Sequence, residues 1–550
     1  MDESTVDQND PARPGPWVLP ALLAFALLVR AFAWGRALMM MNDGPDFLWQ
    51  AQRFLDGDWA AALSHPYHPL YGGLAAVGVV GGLGLEDAAI AVSFLGGVLV
   101  VLAAWGMARL AFPEEPKAPV AAALVAAVAG RFVEFSSDIQ SDGLFAGLAA
   151  VAFWAIFSAA RAGGCKRRLL LAGVLTGLTY LARPEGLFVG CAVGVWVLGS
   201  TAPFTRRLAG LGVYAVGTLL LVAPYVVALH DVTGAWGLSL KPSLQFAGLR
   251  EAPVTHLAPA DSPMGWPYVP PRITKRKLRQ QAAEAEAEAE AESLPPAVQA
   301  KENEPRQGSL SPFASPLFDV LGMQSTEAGN RGTWSRAVSE SFKGYVAALR
   351  VELLLLIVPG LMALFRAHRR LALALIAIQL GWFAVTSWHL RTNDYITNRH
   401  FLIAHTLMLP VAGRGLLAFW QRGTALRVVA VLILIVAAIS GTQPRRDDNG
   451  PRLEALAWVR EHTTPEQAFA THRRRDGFYA ERVAITTRMP VDDTVFARRI
   501  ALKDTPYLVY DEEYLERYQP DWVPQGLVHE VQRFEAEGGD TVLVLEPRFP

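Results

Sequence analysis

Apolar residues in this 550-residue chain are gathered into blocks long enough to cross a bilayer, and that arrangement restricts the fold before any motif is read. The blocks lie at about 17–35, 89–111, 118–131, 142–160, 169–182, 186–200, 208–229, 346–365, 371–388, 401–419 and 427–441, with a shorter run at 70–85. Backbone inside hydrocarbon has no water to bond, so each block must satisfy its own N–H and C=O groups as a helix. A composition that is 52% hydrophobic and 18% charged agrees, and the chain reads as an α-helical polytopic membrane protein. The net charge is −1 and no basic stripe carries interleaved aromatics, which argues against nucleic acid as a partner. Two cysteines, Cys165 and Cys191, exclude a disulfide framework and a cysteine-based zinc site.

Orientation follows from Lys and Arg in the short loops. Arg161, Lys166, Arg167 and Arg168 share one connection, Arg206 and Arg207 the next on that side, then Arg366, Arg369 and Arg370, then Arg422 and Arg427. With these four clusters cytoplasmic, the loops at 131–141, 231–345 and 389–400 and the tail at 442–550 face outward. An even number of crossings must then separate Asp43 from Asp138. The run at 70–85 is short and carries six glycines, so it is expected to be re-entrant or interfacial. That leaves about eleven spans, with residues 1–16 as a cytoplasmic tail. The acidic N-terminus lacks the basic region of a signal peptide, so the first run is expected to be a retained span.

The expected organisation is a catalytic transmembrane module over 17–230, with outer loops at 36–70 and 131–141, followed by a long extracytoplasmic loop over 231–345. The alternating Ala/Glu stretch at 282–293 buries nothing and reads as a solvated helix or disordered spacer. Further transmembrane helices follow over 346–441. Residues 442–550 read as a small soluble α/β domain, with a helix at 451–462 and short apolar runs near 468–470, 482–486, 507–510 and 541–545.

Charge at membrane depth is expensive, so chemistry belongs where polar groups converge at the membrane face. The first outer loop offers Asp43 and Asp46, then Phe47, Ala51, Phe54 and Leu55 at helical spacing. This describes an amphipathic helix on the membrane surface with acids at its N-terminal end. The same loop closes on His65, His68 and Tyr71. The second outer loop offers Glu134, Asp138 and Asp142. Arg183 and Glu185 lie between two runs too short to cross a ~30 Å core, and Asp394, Tyr395, Arg399 and His400 precede a later span. Each group has a plainer reading. The acids can cap helices, Arg183 and Glu185 can pair across a turn, Arg399 can anchor a helix end, and the histidines can pack at the interface. Those readings leave unexplained why acids and arginines gather on one side in successive loops.

Asp43-Gly44 followed by Ala51 and Leu55, then His68-Pro69-Leu70-Tyr71, Ser141-Asp142-Gly143-Leu144, Arg183-Pro184-Glu185-Gly186 and Arg399-His400-Phe401-Leu402 occur in that order. In these motifs the chain resembles the membrane glycosyltransferases of the GT-C fold. The similarity is to the bacterial group related to dolichyl-phosphate-mannose-protein mannosyltransferases and to the lipid A aminoarabinose transferase. It spans residues 15–230 well and 345–440 loosely. Gly44 replaces the usual second acid, His400 stands where Tyr is common, and the insertion at 250–340 exceeds the family's usual length.

The resemblance implies a multi-pass protein of the cell (inner) membrane, with an extracytoplasmic active site. There a sugar would pass from a polyprenyl-phosphate-linked donor to an acceptor hydroxyl with inversion. Such a reaction needs a base near the anomeric carbon and cations around the departing phosphate. Asp43 is the expected base, with Asp46 second. Arg183, Arg399 and Lys241 are expected to hold the phosphate. Asp142, with Asp138 or Glu134, would orient the acceptor or share a divalent cation with the first loop, and His68, Tyr71 and Glu185 would complete the site. Carboxylates suit Mg or Mn, and an added His65 or His68 suits zinc, so the metal is left open. The competing class is a transporter, or a lipid-linked sugar flippase or polymerase. The lack of an internal repeat, the gathering of polar clusters at one face and the long soluble tail weigh against it.

Overall fold

Seven apolar blocks form helices long and apolar enough to cross a membrane in the computed structural model. It describes residues 14–200, 202–234, 236–240, 334–393, 397–443, 450–473, 475–486, 496–497, 500, 505–536 and 541–548. These helices are α1 (Val18–Gly35), α5 (Leu85–Ala111), α8 (Ser141–Arg161), α11 (Phe204–Thr233), α12 (Trp334–Ala367), α13 (Arg369–Asn393) and α16 (Thr424–Thr442). Two further stretches are broken. α6 (Ala118–Val128) meets α7 (Gly130–Ser136) at 57°, and Asn398–Thr406, which ends in α14 (Leu402–Thr406), meets α15 (Leu409–Gln421) at 68°. Counting each broken pair as one span gives nine among the described residues, against about eleven expected. The difference lies in two runs: α9 (Lys166–Ala182) opens on three cations, and the next run is a 3-10 turn (Pro184–Val189) followed by α10 (Gly190–Gly199). The run at 70–85, not expected to cross, is α4 (Leu70–Val80).

Helices in lipid gain little from the hydrophobic effect and pack through small residues that let backbones approach. α5 and α8 meet in this way, since a Cβ at Gly96 would collide with the Gly143 carbonyl. α12 and α15 meet likewise at Gly360 and Gly415, each of which lies against a carbonyl of the other helix. The first loop folds as the periodicity predicts. α2 (Gly44–Leu55) buries Phe47, Leu48, Trp49 and Ala51, and α3 (Trp59–Leu63) is capped by Asp58, whose Oδ1 accepts from the Ala61 N–H at 3.0 Å.

The described residues fall into two units, 14–240 with 334–443, and 450–548. The second unit opens with α17 (Gly450–His462) and contains a sheet of order β2-β1-β3-β5-β4. β1 (Ala468–Thr471), β2 (Val483–Thr486) and β3 (Tyr507–Asp511) are parallel, while β5 (Thr541–Pro547) pairs antiparallel with β3 and with β4 (Val528–Glu535). α18 (Arg475–Ala480) joins β1 to β2, and α19 (Glu512–Tyr518) follows β3. Ala470, Phe496, Leu508, Tyr510, Trp522 and Leu545 form its core. Lys241, Asp394, Tyr395 and the Ala/Glu stretch at 282–293 lie outside the described residues.

Candidate active site

Asp43 occupies the N-cap position of α2, yet its side chain makes no capping bond to the helix. Its Oδ2 instead accepts from Arg399 Nη1 at 3.2 Å across 356 residues of chain, and each side chain keeps 24% of its surface accessible. A second pair lies within electrostatic reach of the first. Arg183 donates from Nη1 to Asp142 Oδ1 at 2.5 Å and from Nη2 to Glu185 Oε1 at 3.3 Å, and it feels the charge of Arg399. The Arg183 guanidinium also sits 5.6 Å from the centre of the Phe145 ring. His400 is within reach of the charges of Arg183, Arg399 and Glu185. Its Nδ1 accepts from the Thr397 N–H at 3.0 Å, and its ring centre lies 5.1 Å from that of His389. The first loop, the start of α8, the turn after α9 and the turn before α14 thus bring five charged side chains together.

Local chain direction explains these placements. Asp142 stands in the first turn of α8, where the helix dipole favours an acid. Arg183 is the extended residue between α9 and the Pro184 turn, so its side chain leaves the helix axis toward α8. Asp138 acts on backbone. Its Oδ1 accepts from the Met41 N–H at 2.9 Å and from the Ile139 N–H at 2.6 Å, tying the turn between α7 and α8 to the residues just before Asp43. The Asp138 carbonyl in turn accepts from Ser93 Oγ at 2.6 Å, and the buried Tyr71 hydroxyl lies 2.8 Å from Ser93 Oγ and donates to the Ala89 carbonyl at 2.7 Å. Asp46 is buried in the first turn of α2. His68 is packed against Tyr180 and Tyr225, with Nδ1 2.7 Å from the Tyr180 carbonyl. His65 lies against Trp49 and Tyr67.

Glu134 belongs to a separate network. It accepts from Arg131 at 2.7 Å and from Arg350 at 3.1 Å. Arg350 lies inside α12 at φ 59° and ψ 155°, where the helix breaks. Sequence reading passed over Arg350 and Glu352 within an apolar block, although charge inside a span was the signal that could have singled them out. It passed over Arg30 for the same reason. Arg30 is buried in α1 and donates to Ser136 Oγ at 2.7 Å and to the carbonyls of Ala26 and Ala127. It therefore caps the end of α6 beside the bend.

Among the described residues no group of three or more His, Cys, Asp or Glu is arranged to hold a metal ion. Asp43, Asp138 and Asp142 are already engaged by Arg399, by two backbone N–H groups and by Arg183. In this arrangement the donors do not fit a metal.

A bundle of apolar and broken helices, with short helices in the loop after α1, makes a multi-pass membrane protein with the GT-C fold. Comparison with known proteins gives the same class. Residues 74–228 match the family described as dolichyl-phosphate-mannose-protein mannosyltransferase. ArnT from Cupriavidus metallidurans superposes with a TM-score of 0.54 at 14% identity, over 96% of this chain and 97% of ArnT, both in its apo state and bound to undecaprenyl phosphate. The oligosaccharyltransferase of Archaeoglobus fulgidus, in complex with Zn and sulfate, superposes with a TM-score of 0.55 at 13% identity, over 96% of this chain and 72% of that one. No curated protein matches the chain in sequence.

Proposed function

We propose that the protein transfers a sugar from a polyprenyl-phosphate donor to an acceptor hydroxyl at the outer face of the inner membrane, with inversion. The observation that carries this reading is the meeting of the Asp43–Arg399 pair with the Arg183–Asp142 pair. Without substrate each arginine is balanced by a carboxylate. A donor phosphate entering between Arg399 and Arg183 competes for both guanidiniums, which match phosphate oxygens in bidentate fashion. Arg399 then turns from Asp43 to the phosphate, and the freed carboxylate takes the proton of the acceptor hydroxyl as it attacks the anomeric carbon. The C–O bond to the phosphate breaks on the opposite face, and the phosphate leaves with its charge held by the two arginines. Asp142 and Glu185 keep Arg183 aimed during the exchange. Asp138 holds the backbone that carries Asp43, and Asp46 supports the same loop from within α2. Lys241 is a further phosphate ligand in this scheme.

The donor class is supported by the bound undecaprenyl phosphate of the similarly folded ArnT. The test uses membranes carrying the full chain and a radiolabelled polyprenyl-phosphate sugar. Label is expected to leave the lipid with the native chain and to stay on it with Asp43→Asn, while the variant inserts and folds normally. Near-native turnover by Asp43→Asn would remove Asp43 from the mechanism.

A further inference from the structure

The 450–548 unit carries a polar cluster that sugar transfer leaves unused. β1 pairs with β2 on one side and with β3 on the other, all three parallel. The chain leaves β1 toward β2 and leaves β3 toward β4 and β5, in the opposite direction across the sheet. Where connections diverge in an open α/β sheet, the space outside the carboxyl ends of the two strands is not filled by crossover helices, and ligands bind there.

The residues at that point are chemically equipped. His472 and Arg473 follow the last residue of β1, and Asp511 ends β3. Arg473 donates to Asp511 Oδ2 at 2.5 Å, and His472 Nε2 lies 3.1 Å from the same Oδ2 and 3.1 Å from Arg473 Nε. Arg452, fully buried, donates to Asp511 Oδ1 at 2.5 Å and to both oxygens of Asp476 at 3.0 and 2.5 Å. The His472 ring stacks on Tyr514 with centres 4.1 Å apart. Its side chain is only 8% accessible, yet Nδ1 has no hydrogen-bond partner among the described residues. Nε2 bonds either as a donor to Asp511 or as an acceptor from Arg473, and in both tautomers the remaining ring nitrogen is left for a ligand. Asp511 and Arg473 keep 18% and 15% of their side chains accessible, which leaves both reachable from the same side.

We infer that the carboxyl ends of β1 and β3 form a binding site for a neutral saccharide, held by the Tyr514 ring and by hydrogen bonds to His472, Arg473 and Asp511. The pairing of the charges selects the class. The guanidiniums of Arg452 and Arg473 are both held by Asp511, and Arg452 also by Asp476, so an anion reaching either would have to displace Asp511. Hydroxyls both donate and accept, and they match a surface where guanidinium, imidazole and carboxylate alternate within hydrogen-bond distance. The apolar face of a sugar ring suits an aromatic platform. The turn after β1 reads Thr471-His472-Arg473 and lacks the glycine fingerprint of a dinucleotide site. The assignment stands independently of the transfer reaction.

The test is saturation-transfer NMR on the full chain in lipid nanodiscs, with neutral methyl glycosides of common hexoses and pentoses as probes. At least one glycoside is expected to receive saturation from the native chain and equally from Asp43→Asn. The effect should fall roughly fivefold or more in both Tyr514→Leu and His472→Gln, from loss of the stacking and of the ring-nitrogen contact. Amide exchange over the sheet strands reports whether each variant is folded, and His472→Gln serves if Tyr514→Leu is not. Absence of saturation in the native chain, or its persistence in a folded variant, would overturn the site. Loss in Asp43→Asn alone would move the binding to the membrane unit, and displacement by inorganic phosphate would overturn the neutral class.

Discussion

The Asp43–Arg399 and Asp142–Arg183 pairs differ in how firmly they are held. Asp43 and Arg399 each keep about a quarter of their surface accessible, whereas Arg183 and Asp142 keep 9% and 3%. A partly solvated pair is worth little and exchanges readily, which suits the role of releasable base proposed for Asp43. The buried pair is different, because removing one partner strands a charge. Asp142→Asn is expected to destabilise the bundle by about 3 kcal/mol, with Glu185 left as the counter-charge to Arg183 among the described residues. Arg183→Gln should cost a similar amount, and the double substitution clearly less than the sum. Thermal midpoints of the four proteins in one detergent decide the matter, and strictly additive losses would mean that the pair is not coupled. The opposite behaviour is expected at the first pair. Arg399→Gln should leave the midpoint nearly unchanged while turnover of a polyprenyl-phosphate sugar falls at least about 100-fold, through loss of a phosphate-binding cation. A shift in the midpoint with unaltered turnover would make Arg399 a structural anchor.

At the scale of elements, close helix approach through glycine gives the sharpest expectation. Gly96→Leu would drive a side chain into the Gly143 backbone, and α5 and α8 cannot separate without moving Asp142. A loss of about 3 kcal/mol or more and loss of transfer together are expected. A stable, active Gly96→Leu protein would show that this helix contact does not position the site. Much at this scale was legible in the sequence. Apolar blocks marked the long helices, and period-3.6 spacing marked α2 with Asp43 at its entrance. Hydrophobic runs marked β1, β2, β3 and β5, but β4 was missed. Val528–Glu535 is an edge strand with one buried residue, and its exposed Glu and Arg side chains hide the strand pattern while guarding the edge. The bend at Ala129 and the break at Arg350 were also missed. Both depend on partners far away in the chain, Arg30 at the end of α6 and Glu134 beside Arg350, and local periodicity carries no trace of such contacts. In the site, the residue types could be read, whereas which acid meets which arginine is set by tertiary packing.

The whole molecule joins two units that resist unfolding by different means. The bundle relies on packing and on backbone bonds shielded from water, and the 450–548 unit on a small core plus the ion network at the ends of β1 and β3. Burial pushes the His472 imidazole below its ordinary value of 6.5. For Asp511, burial alone would raise the pKa. The His472 hydrogen bond and the charges of Arg452 and Arg473 outweigh it and hold the carboxyl well below 3.8. Asp476 is held below the same value, as burial is outweighed by Arg452 and the Thr471 hydroxyl. In all three cases the unfolded chain takes up protons at a higher pH than the folded unit does. Their contribution is therefore fully present above about pH 6.5, with the His472 share declining below that value and the carboxylate share below about pH 4. Amide exchange over 468–471, 507–511 and 541–547 should accelerate relative to the intrinsic rate when the full chain is moved from about pH 7 to about pH 4, while α5 and α8 stay protected. The His472→Gln chain should lose the upper part of this response and keep the lower part. Sheet protection that is flat across that interval would mean that the network at the strand ends does not stabilise the unit.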